Sequence, residues 1–369
     1  MEITPAQNKT VYFPNLDGFR TIAFLIVFLG HCFILFDFGE RTVVIKYLNK
    51  LFAKPGIGVH FFFVLSGFLI SYLLLSEHLK HGKIRIGAFY MRRVLRIWPV
   101  YFLVILIACL LSFINKPFYS LSDASFGLIT TFLTNFNLAG KGISSLPLTV
   151  LWSVAVEEQF YLFLPLLIKL FGIRVFYIFP LFVIGALAYG VMQTHNIPLV
   201  EFSTFSVCSS LFTGCIIAYL VLFHNFSSFF IRLKKAMIIS VYLAFFVLHI
   251  YRDKIFSAEK SNVWLYFFDA IFFAFFILEQ NYAKNSFFKM SRSKLFTYTG
   301  KYTYGLYAYH MIFITLLMLT IPGLANPKGN YMIYFSYWIA ALLLSFLFAK
   351  LSYSGMEKPF LKLKEKFSR

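Results

Sequence analysis

Long apolar runs broken by short polar stretches set the pattern of this chain, and runs such as Ile22 to Phe36 and Val100 to Phe113 contain almost no polar residue. Crossing a bilayer takes about 20 mostly apolar residues in helical form. By that measure ten membrane helices are predicted, near residues 18–38, 56–76, 97–115, 151–171, 175–192, 205–223, 236–250, 263–281, 302–321 and 331–352. A transmembrane barrel would instead alternate polar and apolar residues in strands of about ten. The expected fold class is therefore all-α, a polytopic integral membrane protein. An eleventh stretch, 125–138, is short and interrupted by Asn135 and Asn137, and hydropathy alone does not decide it.

Composition sharpens this picture. Of 369 residues, 60% are hydrophobic and only 13% charged, with a mean hydropathy of +0.76. A soluble domain carries about 25% charged residues, so a soluble globular enzyme is excluded. The net charge of +19 would suggest nucleic acid in a soluble protein, but in a membrane protein its placement reports topology. If 125–138 does not span and the N-terminus is cytoplasmic, the clusters Lys80 to Arg96, Lys284 to Lys301 and Lys358 to Arg369 all lie inside. Were it to span, the last two would face out. The reading is ten spans with both termini cytoplasmic, no nucleic-acid partner, and an external connection over 115–150 whose short helix lies on or dips into the bundle. Met1 to Asn15 lacks the apolar core of a signal peptide, and no soluble domain or repeat is evident, so residues 1–369 form a single membrane domain. Cys32, Cys109, Cys208 and Cys215 all fall inside apolar segments, where they are read as packing residues rather than disulfide partners.

Ionisable residues inside spans are costly and mark functional sites by default. His31 lies eleven residues beyond Arg20, roughly 16 Å along the helix at 1.5 Å per residue, which puts Arg20 at the cytoplasmic boundary and His31 in the outer half. Glu157 and Glu158 sit near the outer start of the fourth span, at the same depth as His31, so a histidine–carboxylate pair is expected there. His310 is a second imidazole inside a span. His60, near the outer end of the second span, is a structural or cavity-mouth candidate, and Trp152, five residues before Glu157, is a candidate for the acceptor or cavity. At the cytoplasmic start of the third span, Arg92 and Arg96 share one helix face, and Arg93 and Arg96, three apart, are also neighbours. With Arg20 at the same boundary they suit a phosphate-bearing ligand, because guanidinium forks hold phosphate oxygens two at a time. No metal-ligand grouping stands out.

These residues carry a resemblance. Leu16-Asp17-Gly18-Phe19-Arg20 with His31, Gly58-Val59-His60-Phe61-Phe62-Phe63-Val64-Leu65-Ser66-Gly67-Phe68, Arg93-x-x-Arg96 with Pro99, and Trp152-Ser153-Val154-Ala155-Val156-Glu157-Glu158-Gln159-Phe160-Tyr161 occur in this order. Tyr304-Gly305-Leu306-Tyr307 with His310 and Glu357-Lys358-Pro359-Phe360 complete the series. Together they resemble the membrane acyltransferase-3 family, the integral-membrane enzymes that O-acylate bacterial glycans and other extracytoplasmic hydroxyl compounds. Many members carry an acidic residue where His60 stands, and some carry a further esterase-like domain after the last span.

The resemblance implies a multi-pass protein of the bacterial cell membrane and an acyl-CoA co-substrate, acetyl-CoA first of all. Its phosphates would dock on Arg93 and Arg96, with Arg20 and Arg92 beside them, and its acyl end would reach His31. The acceptor would be a hydroxyl of a cell-envelope glycan, a glycolipid or a related compound, met from outside near Trp152, His310 and His60. His31 would act as base with Glu157 or Glu158 fixing its tautomer, by direct transfer or through an acyl-histidine. Two rival classes are a secondary transporter with a His/Glu proton relay, which would show inverted repeats and paired broken helices, and a non-catalytic protein whose arginines hold anionic lipid headgroups.

Overall fold

The computed structural model describes residues 12–35, 43–113, 123–141, 145–256, 261–320 and 331–367. Among the described residues the regular structure is entirely helical. The helices used below are α1 (Pro14–Leu35), α2 (Val43–Phe52), α3 (Gly56–His81), α4 (Ile86–Ser112), α5 (Asp123–Thr130), α6 (Thr134–Lys141) and α7 (Leu151–Phe171). They continue with α8 (Phe179–Met192), α9 (Thr204–Phe223), α10 (Lys235–Ile255), α11 (Ser261–Tyr282), α12 (Thr303–Thr320), α13 (Tyr331–Ser352) and α14 (Lys358–Lys364).

Every segment expected to span is helical, although 36–38, 114–115 and 321 lie outside the described residues. Nine helical stretches among the described residues are long and apolar enough to cross a membrane. The fifth expected span differs. Gly172, with φ at 65°, breaks the helix after α7, a 3₁₀ turn occupies Gly172–Tyr177, and Pro180 sits at the start of α8. That leaves a helix of 14 residues, about 21 Å long against a hydrocarbon core of about 30 Å.

The ambiguous stretch 125–138 is not one helix but two, α5 and α6, of 8 residues each. Phe132, with φ at 58°, breaks them apart. Neither reaches across a bilayer. The asparagines that interrupt its hydropathy point into the bundle, Asn135 fully buried and Asn137 nearly so. Asn135 Nδ2 donates to Thr204 Oγ1 at 2.9 Å, Thr204 Oγ1 donates to Gln159 Oε1 at 2.6 Å, and Gln159 Nε2 returns to Asn135 Oδ1 at 2.8 Å. This closed ring of polar groups pins the connection to α7 and α9, as polar side chains must be satisfied where water is scarce.

The tightest crossing in the bundle is that of α3 and α9. A Cβ on Gly67 would fall 2.0 Å from the Leu211 carbonyl oxygen, and one on Gly214 would fall 2.2 Å from that of Val64. Small residues let helix backbones approach where no hydrophobic drive acts between helices in lipid. The contact fixes α3 against the rest of the bundle and so fixes Ser66, which enters the site.

Candidate active site

α1 and α12 pack together and bring two imidazoles into one layer. His310 is fully buried, with Phe24 and Phe28 on its ring at centroid distances of 5.8 and 6.3 Å. Its Nδ1 lies 2.7 Å from the Tyr307 carbonyl oxygen. A carbonyl only accepts, so that nitrogen carries the hydrogen, and in a neutral ring Nε2 is then an acceptor. His31 Nδ1 lies 3.1 Å from it and must donate. The Val27 carbonyl, one turn back on α1, is a second acceptor for the His31 ring. The bonding pattern thus leaves a lone pair on His31 Nε2.

The acid pair is bonded elsewhere. Tyr161 donates to Glu157 Oε2 at 3.2 Å from one turn along α7, and its phenol also meets the hydroxyl of Ser66 on α3. Glu158 Oε2 accepts from Trp98 Nε1 at 3.0 Å, while its Oε1 is buried with no hydrogen-bond partner among the described residues. The partner expected for His31 was a glutamate at equal depth; the structure supplies His310 instead. Equal depth fixes height along a helix and not the direction a side chain faces, which is why the pairing failed to follow. The two layers remain linked through Tyr307, whose phenol lies 2.6 Å from Ser153 Oγ and donates to the Val150 carbonyl at 3.2 Å.

The four arginines separate into two kinds. Arg92 donates to the Phe367 carbonyl at 2.7 Å and reaches Glu77 Oε2 at 3.5 Å, with Arg85 on the same carboxylate. It ties the end of the described chain to α3 and α4. Arg20 pairs with Asp17 one turn back, and Tyr12 donates to the same carboxylate at 2.6 Å. Arg93 lies over the rings of Phe89 and Tyr161, at 5.7 and 5.9 Å from their centroids, and its Nε is buried without a hydrogen-bond partner among the described residues. Arg96, one turn on, is exposed. Arg20 and Arg93 both feel the charge of Arg96, and Glu157 and Glu158 feel that of Arg93. Three guanidinium groups thus converge at one end of the bundle, with the glutamates just inside them.

His60 and Trp152 are packed into helix interfaces. His60 Nδ1 lies 2.7 Å from Ser210 Oγ, and its ring stacks on Tyr266 at 4.0 Å. Trp152 meets Phe63 and Phe202 edge-on at 5.8 and 5.1 Å. Sequence reasoning passed over Tyr161, Ser66, Trp98 and Tyr307 as bonding partners, although Tyr161 stands four residues from Glu157 and Tyr307 three from His310, spacings that share a helix face. It also gave no role to His249, which lies 3.1 Å from the buried Asp269. Among the described residues no three His, Cys, Asp or Glu side chains converge as metal ligands.

A helical membrane bundle with a histidine pair at its heart and guanidinium groups at one mouth is the frame of a membrane-embedded group-transfer enzyme. The chain belongs to the acyltransferase-3 family, whose acyltransferase domain matches residues 13–350. It is similar to the O-acetyltransferase OatA of Staphylococcus aureus strain NCTC 8325, 28% identical over 378 residues, covering 95% of this chain and 57% of that protein. OatA of strain COL matches equally, at 28% identity over 95% of this chain and 57% of its own length. The chain therefore spans a little over half the length of these relatives. No solved structure matches it.

Proposed function

We propose that this domain transfers an acyl group, acetyl first of all, from cytoplasmic acyl-CoA to a hydroxyl of an extracytoplasmic acceptor such as a cell-envelope glycan or glycolipid. The observation that carries this reading is the Tyr307–His310–His31 chain, which leaves His31 Nε2 as a base with a free lone pair. The names of the relatives, both O-acetyltransferases, support the acetyl group and the oxygen acceptor. His31 Nε2 takes the proton of the acceptor hydroxyl as its oxygen attacks the thioester carbonyl. The carbon–sulfur bond then breaks, and the imidazolium returns the proton to the departing thiolate. An acyl-histidine route would use the same lone pair as nucleophile.

Arg93 and Arg96, with Arg20 beside them, would hold the donor's phosphates. The stranded Arg93 Nε is a donor awaiting an acceptor, and the glutamates inside the ring of arginines offset its charge. Arg92 is already engaged with Glu77 and Phe367 and anchors the protein. Replacing Arg93 and Arg96 together with lysine keeps the charge but removes the planar fork. The KM for acyl-CoA is expected to rise about tenfold, since a hydrogen bond to a charged group is worth about 1.5 kcal/mol or more. An unchanged KM in membranes of matched expression would return both residues to topology.

The orientation belongs to this proposal too: both ends cytoplasmic, ten crossings with the short α8 as the fifth, and α5 and α6 outside. Gly140 is exposed, and a side chain there meets nothing within 4 Å; Lys83, in the turn between α3 and α4, is exposed as well. In a background without the native cysteines, Gly140→Cys should react with an impermeant thiol reagent on intact cells and Lys83→Cys only after permeabilisation. The reverse pattern overturns the orientation.

A further inference from the structure

One motif of the chain takes no part in the arrangement above. Glu357 opens the stretch Glu357-Lys358-Pro359-Phe360 and closes a π-helical turn, Tyr353–Glu357, set between α13 and α14. A π turn is a rare departure from helical geometry and is frequently found at functional positions. Here it turns Glu357 inward. The residue is 8% exposed, whereas Lys358, Pro359 and Phe360 next to it are all exposed.

A carboxyl taken out of water needs partners, yet Glu357 Oε1 has no hydrogen-bond partner among the described residues. The polar groups facing it come from α4 and α12. Tyr304 and Tyr309 both feel its charge, but each is committed: Tyr304 donates to the Ile97 carbonyl at 2.8 Å, and Tyr309 shares a 2.7 Å bond with Ser352 Oγ. Arg96 is the cation whose charge reaches Glu357, and the two form no ion pair among the described residues. One turn back on α4, the buried Nε of Arg93 is stranded as well. An acceptor without a donor and donors without an acceptor therefore stand at the same mouth of the bundle, where α4 packs against the π turn.

A carboxylate repels phosphate and can only accept hydrogen bonds. The ligand that satisfies both sides presents an anion to the arginines and, beside it, an O–H or N–H to Glu357. A nucleotide does this, with a ribose hydroxyl or a base amino group a few bonds from its phosphates. We infer that Glu357 is a specificity-determining residue for the nucleotide end of the acyl donor, accepting a hydrogen bond from a hydroxyl or amino group while Arg96 takes a neighbouring phosphate. This rests on the acyl-CoA reading above. Placement at the mouth selects the nucleotide over the pantetheine arm, which must run inward to reach His31.

The test compares two donors, acetyl-CoA and acetyl-4′-phosphopantetheine, which lacks the nucleotide, in membranes carrying the wild-type protein or Glu357→Met. Folding is checked by expression and by monodisperse elution in detergent, and methionine keeps the length of the side chain while removing both acceptor oxygens. The wild type should favour acetyl-CoA. Glu357→Met should raise the KM for acetyl-CoA about tenfold with kcat little changed, and leave the KM for the truncated donor where it was. Equal rises for both donors would reduce Glu357 to a prop for its surroundings, and no change for either would remove it from recognition altogether. A wild type that transfers from the truncated donor as well as from acetyl-CoA also overturns the inference while leaving the transferase reading intact. A wild type that uses neither overturns the acyl-CoA reading, and the inference falls with it.

Discussion

His31→Ala is expected to lower acyl transfer by about 10²- to 10⁴-fold, the usual worth of a well-placed general base, while the protein still inserts and accumulates. The imidazole is held by the Tyr307–His310 chain with its second nitrogen unprotonated, and imidazole is the side chain whose ordinary pKa lets it take and return a proton near neutrality. The nearby acids and thiol are turned elsewhere. Glu157 and Glu158 are bonded to Tyr161 and Trp98, and Cys32, the next residue in the helix, is rotated about 100° away. The measurement is transfer of labelled acetyl from acetyl-CoA in membranes normalised to protein level. Wild-type transfer by the alanine variant would end the proposed mechanism, whichever acceptor is used.

His310→Ala is expected to cost about 5- to 150-fold, and its value lies in how it differs from the first. His310 touches neither donor nor acceptor in the proposed reaction; it accepts from His31 Nδ1 and so keeps the proton off Nε2. Without it, His31 Nδ1–H keeps only the Val27 carbonyl, and the imidazolium formed during transfer loses a bond worth about 1.5 to 3 kcal/mol. The other tautomer then becomes competitive. Glutamine at 310 retains a side-chain oxygen that can accept the same bond, so His310→Gln should recover part of the loss while His310→Ala does not. Equal activity in both variants would mean that His310 merely fills space, and full activity in His310→Ala would sever it from His31 function.

Much of the architecture could be read from the chain. Apolar runs locate the helices because burial in lipid demands them, and the charge argument that kept 125–138 from spanning agrees with α5 and α6 being two short helices. The fifth span was overestimated because a hydropathy window averages across Gly172 and Pro180, which act on the backbone and leave no mark on hydropathy. In the candidate site, sequence singled out His31, His310, the glutamates and the arginines but misjudged their company. Counting residues puts His31 and Glu157 at equal depth. Whether they meet depends on how α1, α7 and α12 are rotated about their axes, and that is settled by packing. The bond between His31 and His310 joins residues 279 positions apart, beyond any local pattern. Arg92 illustrates the same limit: its spacing marks a phosphate ligand, but its hydrogen bonds go to Glu77 and Phe367.

The far end of the histidine chain is a main-chain oxygen, that of Tyr307. Any amino acid at position 307 would offer the same acceptor, so drift in that side chain cannot reverse the direction in which the two imidazoles point their protons. Polarity in this relay is inherited from the course of the α12 backbone, and only a change in helical register at that point could invert it. Exchanging the phenol of Tyr307 would therefore break its contact with Ser153 while the two imidazoles stay oriented.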